Sequence, residues 1–276
     1  RQMCIRDSLN TARQYFNDTP LSLQKDNNEI TYKEGGLFIK FTPNQEILNN
    51  RVSRAKSLNG LIPNGFGNTK YFMYYSWFDG DTLYKLDSIE VFRKFLDVLK
   101  NNFTTMQNTD REHHQYIKSF YRKKTMDRVS QFVNKYNSKY LMDTHSINGK
   151  TYPSLNEVLD DIDLNELNLN PFYTLFHGDL QFDNIVYNEK TEKFTYIDWR
   201  ESFAGYTKSG DVYYDLAKLY GGLIIPYDRM KNEDNIRFIE GDYSIQYSYD
   251  VSDNIREFKR EYEPVSYTHL TLPTIL

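Results

Sequence analysis

His177-Gly178-Asp179-Leu180-Gln181-Phe182-Asp183-Asn184 is the stretch that decides the reading of this chain, and Asp198 follows it inside Tyr196-Ile197-Asp198-Trp199-Arg200. Around the stretch the sequence predicts strand, loop and strand. Phe172 to Phe176 is β-prone, the loop runs through Asn184, and Ile185 to Asn188 is β-prone again. A Glu189-Lys190-Thr191-Glu192 turn then leads into Phe194 to Ile197, a strand that delivers Asp198. One short segment therefore offers two carboxylates and a carboxamide at fixed separations.

This set of groups suits transfer of a phosphoryl group to a hydroxyl, where charge spreads over three oxygens and the protein mainly positions and neutralises. Asp179 is the candidate general base that accepts or orients the hydroxyl proton. Asn184 and Asp198 are the candidate ligands of Mg²⁺, a hard cation that prefers oxygen donors and keeps several waters. A carboxamide suits one of those places because it ligates without adding charge. His177 reads as a structural member that hydrogen-bonds the loop, and Asp183 as a turn residue.

Upstream, Glu29 to Lys33 and Leu37 to Phe41 flank Glu34-Gly35-Gly36 and predict a glycine-turn hairpin. Thr42-Pro43-Asn44-Gln45 predicts a helix start with Thr42 as N-cap, and Leu48, Val52, Ala55 and Leu58 keep helical spacing up to Asn59-Gly60. Tyr71 to Phe78 is an aromatic β-prone run. Then Phe92, Phe95, Leu96, Leu99 and Phe103 share one helical face behind a capping Ser88. Residues 111 to 142 read as helical, with His113 and His114 on a solvated face; a turn at 148–153 and a helix from Ser154 follow. Helical spacing returns at Val212, Leu216, Leu219 and Leu223. The expectation is an α+β fold of two lobes, a small antiparallel-sheet lobe over 9–80 and a larger, mainly helical lobe over 81–264.

Both ends of the chain read as translated sequencing adapter, Arg1 to Ser8 and Val265 to Leu276, which makes the genuine segment truncated. The only cysteine, Cys4, lies there, so neither a disulfide scaffold nor a thiolate metal site is expected. Aromatic residues make up 16% of the chain, so much of the core must be Tyr and Phe. A net charge of −4 without a basic stripe argues against nucleic acid as the partner. No apolar run is long enough for a membrane span, and the expected location is cytoplasmic. With so few histidines, and only His177 in a motif, a two-metal phosphoesterase is disfavoured.

His177-Gly178-Asp179-Leu180 with Asn184, Ile197-Asp198-Trp199-Arg200, Gly210-Asp211 and Asp215-Leu216-Ala217 together resemble the aminoglycoside phosphotransferase and choline kinase family. These are small-molecule kinases of protein-kinase-like fold, and the matching motifs cover residues 171 to 223. The resemblance implies ATP and Mg²⁺ as cofactors and a small-molecule hydroxyl as acceptor: an aminoglycoside, choline or ethanolamine, or a cell-envelope sugar. A catalytically inactive nucleotide-binding or scaffold module is the alternative. Gly178 stands where protein kinases carry the arginine that reads a phosphorylated activation loop, which favours the small-molecule branch. The resemblance also implies that Asp215 braces the catalytic loop; as a first-turn helix carboxylate it has an ordinary role too.

On the nucleotide side, Lys40 ends a Leu-Phe-Ile-Lys strand similar to the one whose lysine contacts ATP phosphates in kinases. Glu46 is the only carboxylate between Thr42 and Pro63 and either pairs with Lys40 or favours the helix dipole. Residues 73 to 78, with Tyr75 and Trp77, would carry the adenine as a hinge or else pack as core. No Gly-rich loop is present, and residues 24 to 28 occupy its place. Glu240, Asp242, Asp250 and Asp253 would attract a cationic acceptor or form a solvated surface.

Overall fold

The computed structural model describes residues 21–24, 29–58, 60–102, 106–107, 111–136, 143–164, 172–226 and 233–268. Its elements run, in chain order, β1 (Leu21–Gln24), β2 (Ile30–Glu34), β3 (Leu37–Phe41), α1 (Gln45–Ser57), β4 (Gly67–Asn68), β5 (Phe72–Ser76), β6 (Asp81–Thr82), α2 (Leu83–Leu86) and α3 (Ile89–Asn102). They continue with β7 (Met106–Gln107), α4 (Arg111–Lys135), β8 (His145–Ile147), β9 (Lys150–Tyr152), α5 (Leu155–Asp160), β10 (Phe172–Tyr173), β11 (Ile185–Asn188) and β12 (Lys193–Tyr196). The last are β13 (Gly210–Asp211), α6 (Val212–Ile224), β14 (Ile236–Glu240), β15 (Ser244–Tyr249) and α7 (Asp253–Thr268). The fold is α+β, with an antiparallel sheet early in the chain and a mainly helical remainder.

Described residues up to Leu86, together with Thr174–Gly210, make one compact unit; Asp87–Tyr173 with the described residues from Asp211 onward make the other. The segment 177–198 therefore groups with the sheet. One cause is β11, which pairs with β6 (Val186 opposite Thr82) as well as with β12.

In the first unit the sheet order is β1-β2-β3-β5-β4. The β2–β3 hairpin closes over Gly35 and Gly36, both at positive φ, so a two-residue turn sets Thr31 opposite Lys40. Beneath the sheet, Leu48, Ala55 and Leu58 of the α1 region pack with Met73, Tyr75 and Trp199, and Val52 lies against them. The apolar spacing of α1 is thus its core face. Its cap differs from the sequence expectation: Asn44, not Thr42, accepts from the backbone N–H groups of Glu46 and Ile47. Thr42 is drawn away because it is buried beside the strand, where its N–H donates to Tyr71 O at 2.8 Å and its hydroxyl to Glu29.

In the second unit α3 buries Phe92, Phe95, Leu96 and Leu99, with Ser88 Oγ accepting from Val91 N. Phe92 stacks on Phe258 of α7 at 4.5 Å. Phe103 and the side chains of His113 and His114 lie outside the described residues. Ser154 and Glu157 form a capping box on α5. Val212, Leu216, Leu219 and Leu223 all bury their side chains from α6. The carboxylates Glu240, Asp242, Asp250 and Asp253 are exposed. Among the described residues no helix is long and apolar enough to cross a membrane.

Candidate active site

The loop 177–184 is held by its own backbone and by the segment that carries Asp198. Gln181 N donates to Asp179 O at 2.8 Å and Asn184 N to Gln181 O at 2.9 Å, which coils Phe182–Asn184 into a single 3₁₀ turn. Ile197 N donates to Asn184 O at 3.0 Å, and Arg200 N to His177 O at 2.9 Å. These two bonds stitch the loop to the strand end on either side of Asp198.

His177 is fully buried, and the bonds it makes fix its tautomer. Asp179 N donates to His177 Nδ1 at 3.2 Å, so the ring proton sits on Nε2 and points at Ile197 O, 2.9 Å away. The ring stands edge-on to Tyr196. Gly178 has φ +82°, and a Cβ there would fall 2.6 Å from Arg200 Cβ and 2.9 Å from a Phe176 ring carbon. Both the backbone conformation and the close approach exclude a side chain.

Asp179 and Asn184 are oriented by short-range bonds. Gln181 Nε2 donates to Asp179 Oδ1 at 2.8 Å, while Oδ2 lies 3.5 Å from Asn184 Nδ2. That same amide nitrogen donates to Asp179 O at 2.8 Å, which turns the Asn184 carbonyl oxygen the other way. Gln181 carries no signal in the sequence pattern, so its hold on Asp179 is visible only in the fold.

Asp198 takes a backbone conformation that L-residues avoid, with φ +56°. Such an outlier costs of order 1–3 kcal/mol and marks a place where the surroundings impose geometry. Lys40 Nζ lies 2.9 Å from its Oδ1. The lysine side chain is only 4% exposed and the Asp198 side chain 28%, so the cation is shut off from water while the carboxylate keeps an open edge. Lys40 has a second carboxylate, Glu29, at 3.2 Å. Arg51 of α1 holds that carboxylate with both terminal nitrogens, NH2 at 3.2 Å from Oε2 and NH1 against Oε1.

Glu46, the sequence-level candidate for pairing with Lys40, is instead exposed in the first turn of α1, where its N–H is capped by Asn44. Glu29 was missed because its proximity depends on register. With Thr31 opposite Lys40, Glu29 lies two residues along the same face, within diagonal reach. Burial pushes the Glu29 carboxyl up, but the Arg51 hydrogen bond and the charges of Lys40 and Arg51 outweigh it and leave it below its ordinary value.

Tyr75 and Trp77 separate. Tyr75 is buried, stacks on Phe38 at 4.6 Å and packs on Trp199 at 5.9 Å. Its phenol is pushed well up by burial and then by the Asp198 charge. Trp77 is partly exposed; its N–H donates to Gly36 O at 2.7 Å, and Lys33 Nζ lies 3.8 Å from its ring centre. Asp215 sits in the second unit, fully buried in α6, where Tyr173 Oη donates to Oδ2 at 2.5 Å.

Among the described residues no cluster of three or more His, Cys, Asp or Glu side chains could hold a metal. Asn184 and Asp198 offer a carboxamide and a carboxylate. That donor set fits a hard cation that completes its shell with water and phosphate oxygens rather than one caged by protein alone.

No protein-family model matches the sequence, and no curated protein matches it. Among solved structures the chain is similar to a crystal structure of an aminoglycoside-3'-phosphotransferase of type VIII, with a TM-score of 0.46 and 15% sequence identity, covering 95% of this chain and 98% of that one.

Proposed function

We propose that this chain is an ATP- and Mg²⁺-dependent phosphotransferase that moves the γ-phosphoryl group to a hydroxyl of a small molecule. The observation that carries the reading is that Asp179, Asn184, Asp198 and Lys40 are joined within one unit: loop and strand end by backbone hydrogen bonds, lysine and carboxylate by a 2.9 Å ion pair. Phosphoryl transfer uses this combination of a base, oxygen ligands and a fixed cation.

The roles divide by environment. Asp179 orients the acceptor hydroxyl and takes its proton. Gln181 Nε2 and Asn184 Nδ2 orient the two oxygens of that carboxylate for this task. Asn184 and Asp198 hold Mg²⁺, which when bound supplies charge neutralisation to the phosphate oxygens. Lys40, kept rigid by two carboxylates, faces the phosphates as a point charge. His177 and Gly178 hold the loop's shape. The acceptor belongs to the class of aminoglycosides, choline or ethanolamine, or envelope sugars. Tyr75 supports the 73–78 segment from within the core, and that segment, with Trp77, would carry the adenine as a hinge.

The test is ATP consumption by the purified chain against a panel of aminoglycosides, choline, ethanolamine and free sugars. Mg²⁺-dependent turnover with one acceptor class is expected. Mg-ATP binding without turnover on any acceptor would favour an inactive nucleotide-binding module, and absence of both would end the kinase reading.

A further inference from the structure

Four charged side chains meet between the sheet and α1: Lys40, Glu29, Arg51 and Asp198. They alternate in sign and sum to zero. Lys40 Nζ lies 2.9 Å from Asp198 Oδ1 and 3.2 Å from Glu29 Oε2. Arg51 NH2 donates to Glu29 Oε2 at 3.2 Å and NH1 to Oε1, while Thr42 Oγ1 lies 3.4 Å from Oε1 and 3.3 Å from Arg51 NH1. The Lys40, Arg51 and Glu29 side chains are 4%, 12% and 16% exposed, so solvent screens them little.

The path closes on itself. Trp199, next to Asp198, donates its indole N–H to the backbone carbonyl of Arg51 at 3.0 Å. Three residues further along α1, Arg54 is fully buried and donates to Ser209 O at 3.1 Å and Tyr206 O at 2.9 Å. Helix α1 is therefore fastened to the segment that follows Asp198, and its side chain at 51 reaches across to the lysine's carboxylate. Arg51 Nε donates to nothing among the described residues, so Glu29 and Thr42 alone hold this guanidinium.

The two carboxylates on Lys40 are not equivalent. Asp198 is more exposed, strained at its backbone and assigned to the metal, so its charge has a second use. Glu29 has both oxygens committed inside the cluster, and its bonds come from a planar, bidentate donor whose geometry admits little movement. We infer that Glu29 and Arg51 are positioning residues for Lys40: the carboxylate just before β2, oriented by an arginine of α1, holds the lysine at the nucleotide phosphates, and the placement of α1 is transmitted to the site through this pair. The helix contributes a cation to the cluster, and the carboxylate comes from the residue that leads into β2.

This inference rests on the reading of Lys40 as a phosphate contact, and the experiment separates the two. Mg²⁺ with a non-hydrolysable ATP analogue is titrated calorimetrically into the full chain and into Lys40→Ala, Glu29→Gln, Arg51→Met, Arg51→Lys and Glu29→Gln/Arg51→Met, with thermal unfolding of each. Lys40→Ala is expected to weaken binding at least tenfold. Glu29→Gln should weaken it about fivefold or more, Arg51→Met about threefold, and Arg51→Lys less, because a single point charge replaces the bidentate fork. The double variant should bind no worse than Glu29→Gln, since both act through one contact.

Unchanged affinity in Lys40→Ala would overturn the phosphate reading and this inference with it. Weakened binding in Lys40→Ala with unchanged binding in folded Glu29→Gln overturns the inference alone, as does an additive loss in the double variant. Should Glu29→Gln not fold, Arg51→Lys decides: affinity equal to the parent chain contradicts the relay, and a reduced affinity at unchanged thermal midpoint supports it.

Discussion

Two sets of carboxylates are held in opposite ways. In the first unit Glu29 and Asp198 meet cations, Lys40 and Arg51, and Asp198 keeps an open edge. In the second, Asp211 and Asp215 are fully buried and meet phenols: Tyr121 Oη donates to Asp211 Oδ2 at 2.8 Å and Tyr173 Oη to Asp215 Oδ2 at 2.5 Å. Asp211 also caps α6 by accepting from Tyr213 N at 2.8 Å, and Asp215 lies in that helix's first turn, where the dipole favours a negative charge. The Tyr121 phenol is pushed well up by burial and by Asp211, and the Tyr213 phenol up to about 12 for the same reasons, so both stay neutral beside that carboxylate. A carboxylate held by a cation and left partly open is available to a ligand. One enclosed by phenols and a helix end is a structural group.

The largest expected effect on nucleotide affinity breaks the comparison at Asp198 and Asp215. Asp198→Ala should lose the Mg²⁺-dependent part of nucleotide binding, on the order of 100-fold, by titration calorimetry with and without the metal. Asp215→Asn should leave that affinity unchanged. Its cost appears in thermal unfolding instead, about 1–3 kcal/mol for the disturbed buried hydrogen bond. An Asp215→Asn variant that unfolds normally but binds nucleotide poorly would erase the distinction.

Next come the phenols. Tyr121→Phe and Tyr173→Phe each remove a hydrogen bond to a buried carboxylate and should destabilise by about 1–3 kcal/mol, measured by denaturant unfolding, with nucleotide affinity untouched.

A smaller effect depends on pH. The Glu29 carboxyl sits below its ordinary value of 4.5 in the folded chain, so its stabilisation is present above that value and fades as pH falls through the lower folded one. The difference in unfolding free energy between the parent chain and Glu29→Gln should therefore be constant near neutrality and shrink below about pH 4. A difference that grows in acid would contradict the sign. Least affected of all is Arg93→Ala, which removes an exposed pair with Glu261 at 2.7 Å and should leave the thermal midpoint within error.

Much of this was legible in the sequence wherever one local period or one short spacing carries the information. The β2–β3 hairpin follows from its glycine pair, the core face of α1 from Leu48, Ala55 and Leu58, and the α6 face from Val212 to Leu223. The loop 177–184 and its link to Asp198 follow from residue types at fixed offsets. What stayed hidden depends on register and long-range packing. Thr42 looks like a cap until the strand buries it and Asn44 takes over. Glu46 looks like the lysine's partner until the hairpin register brings Glu29 alongside. Tyr75 proves to be core, because only the fold sets Phe38 and Trp199 against it. Gln181's bond to Asp179 crosses two residues and no pattern announces it.

The central claim is that Asp179 performs chemistry while Asp198 holds the metal. Turnover and Mg-nucleotide affinity of Asp179→Asn, measured on the same preparation with whichever acceptor supports ATP consumption, test it most directly. A loss of about 10²–10⁴ in kcat with nucleotide affinity retained is expected. Turnover equal to that of the parent chain would contradict it.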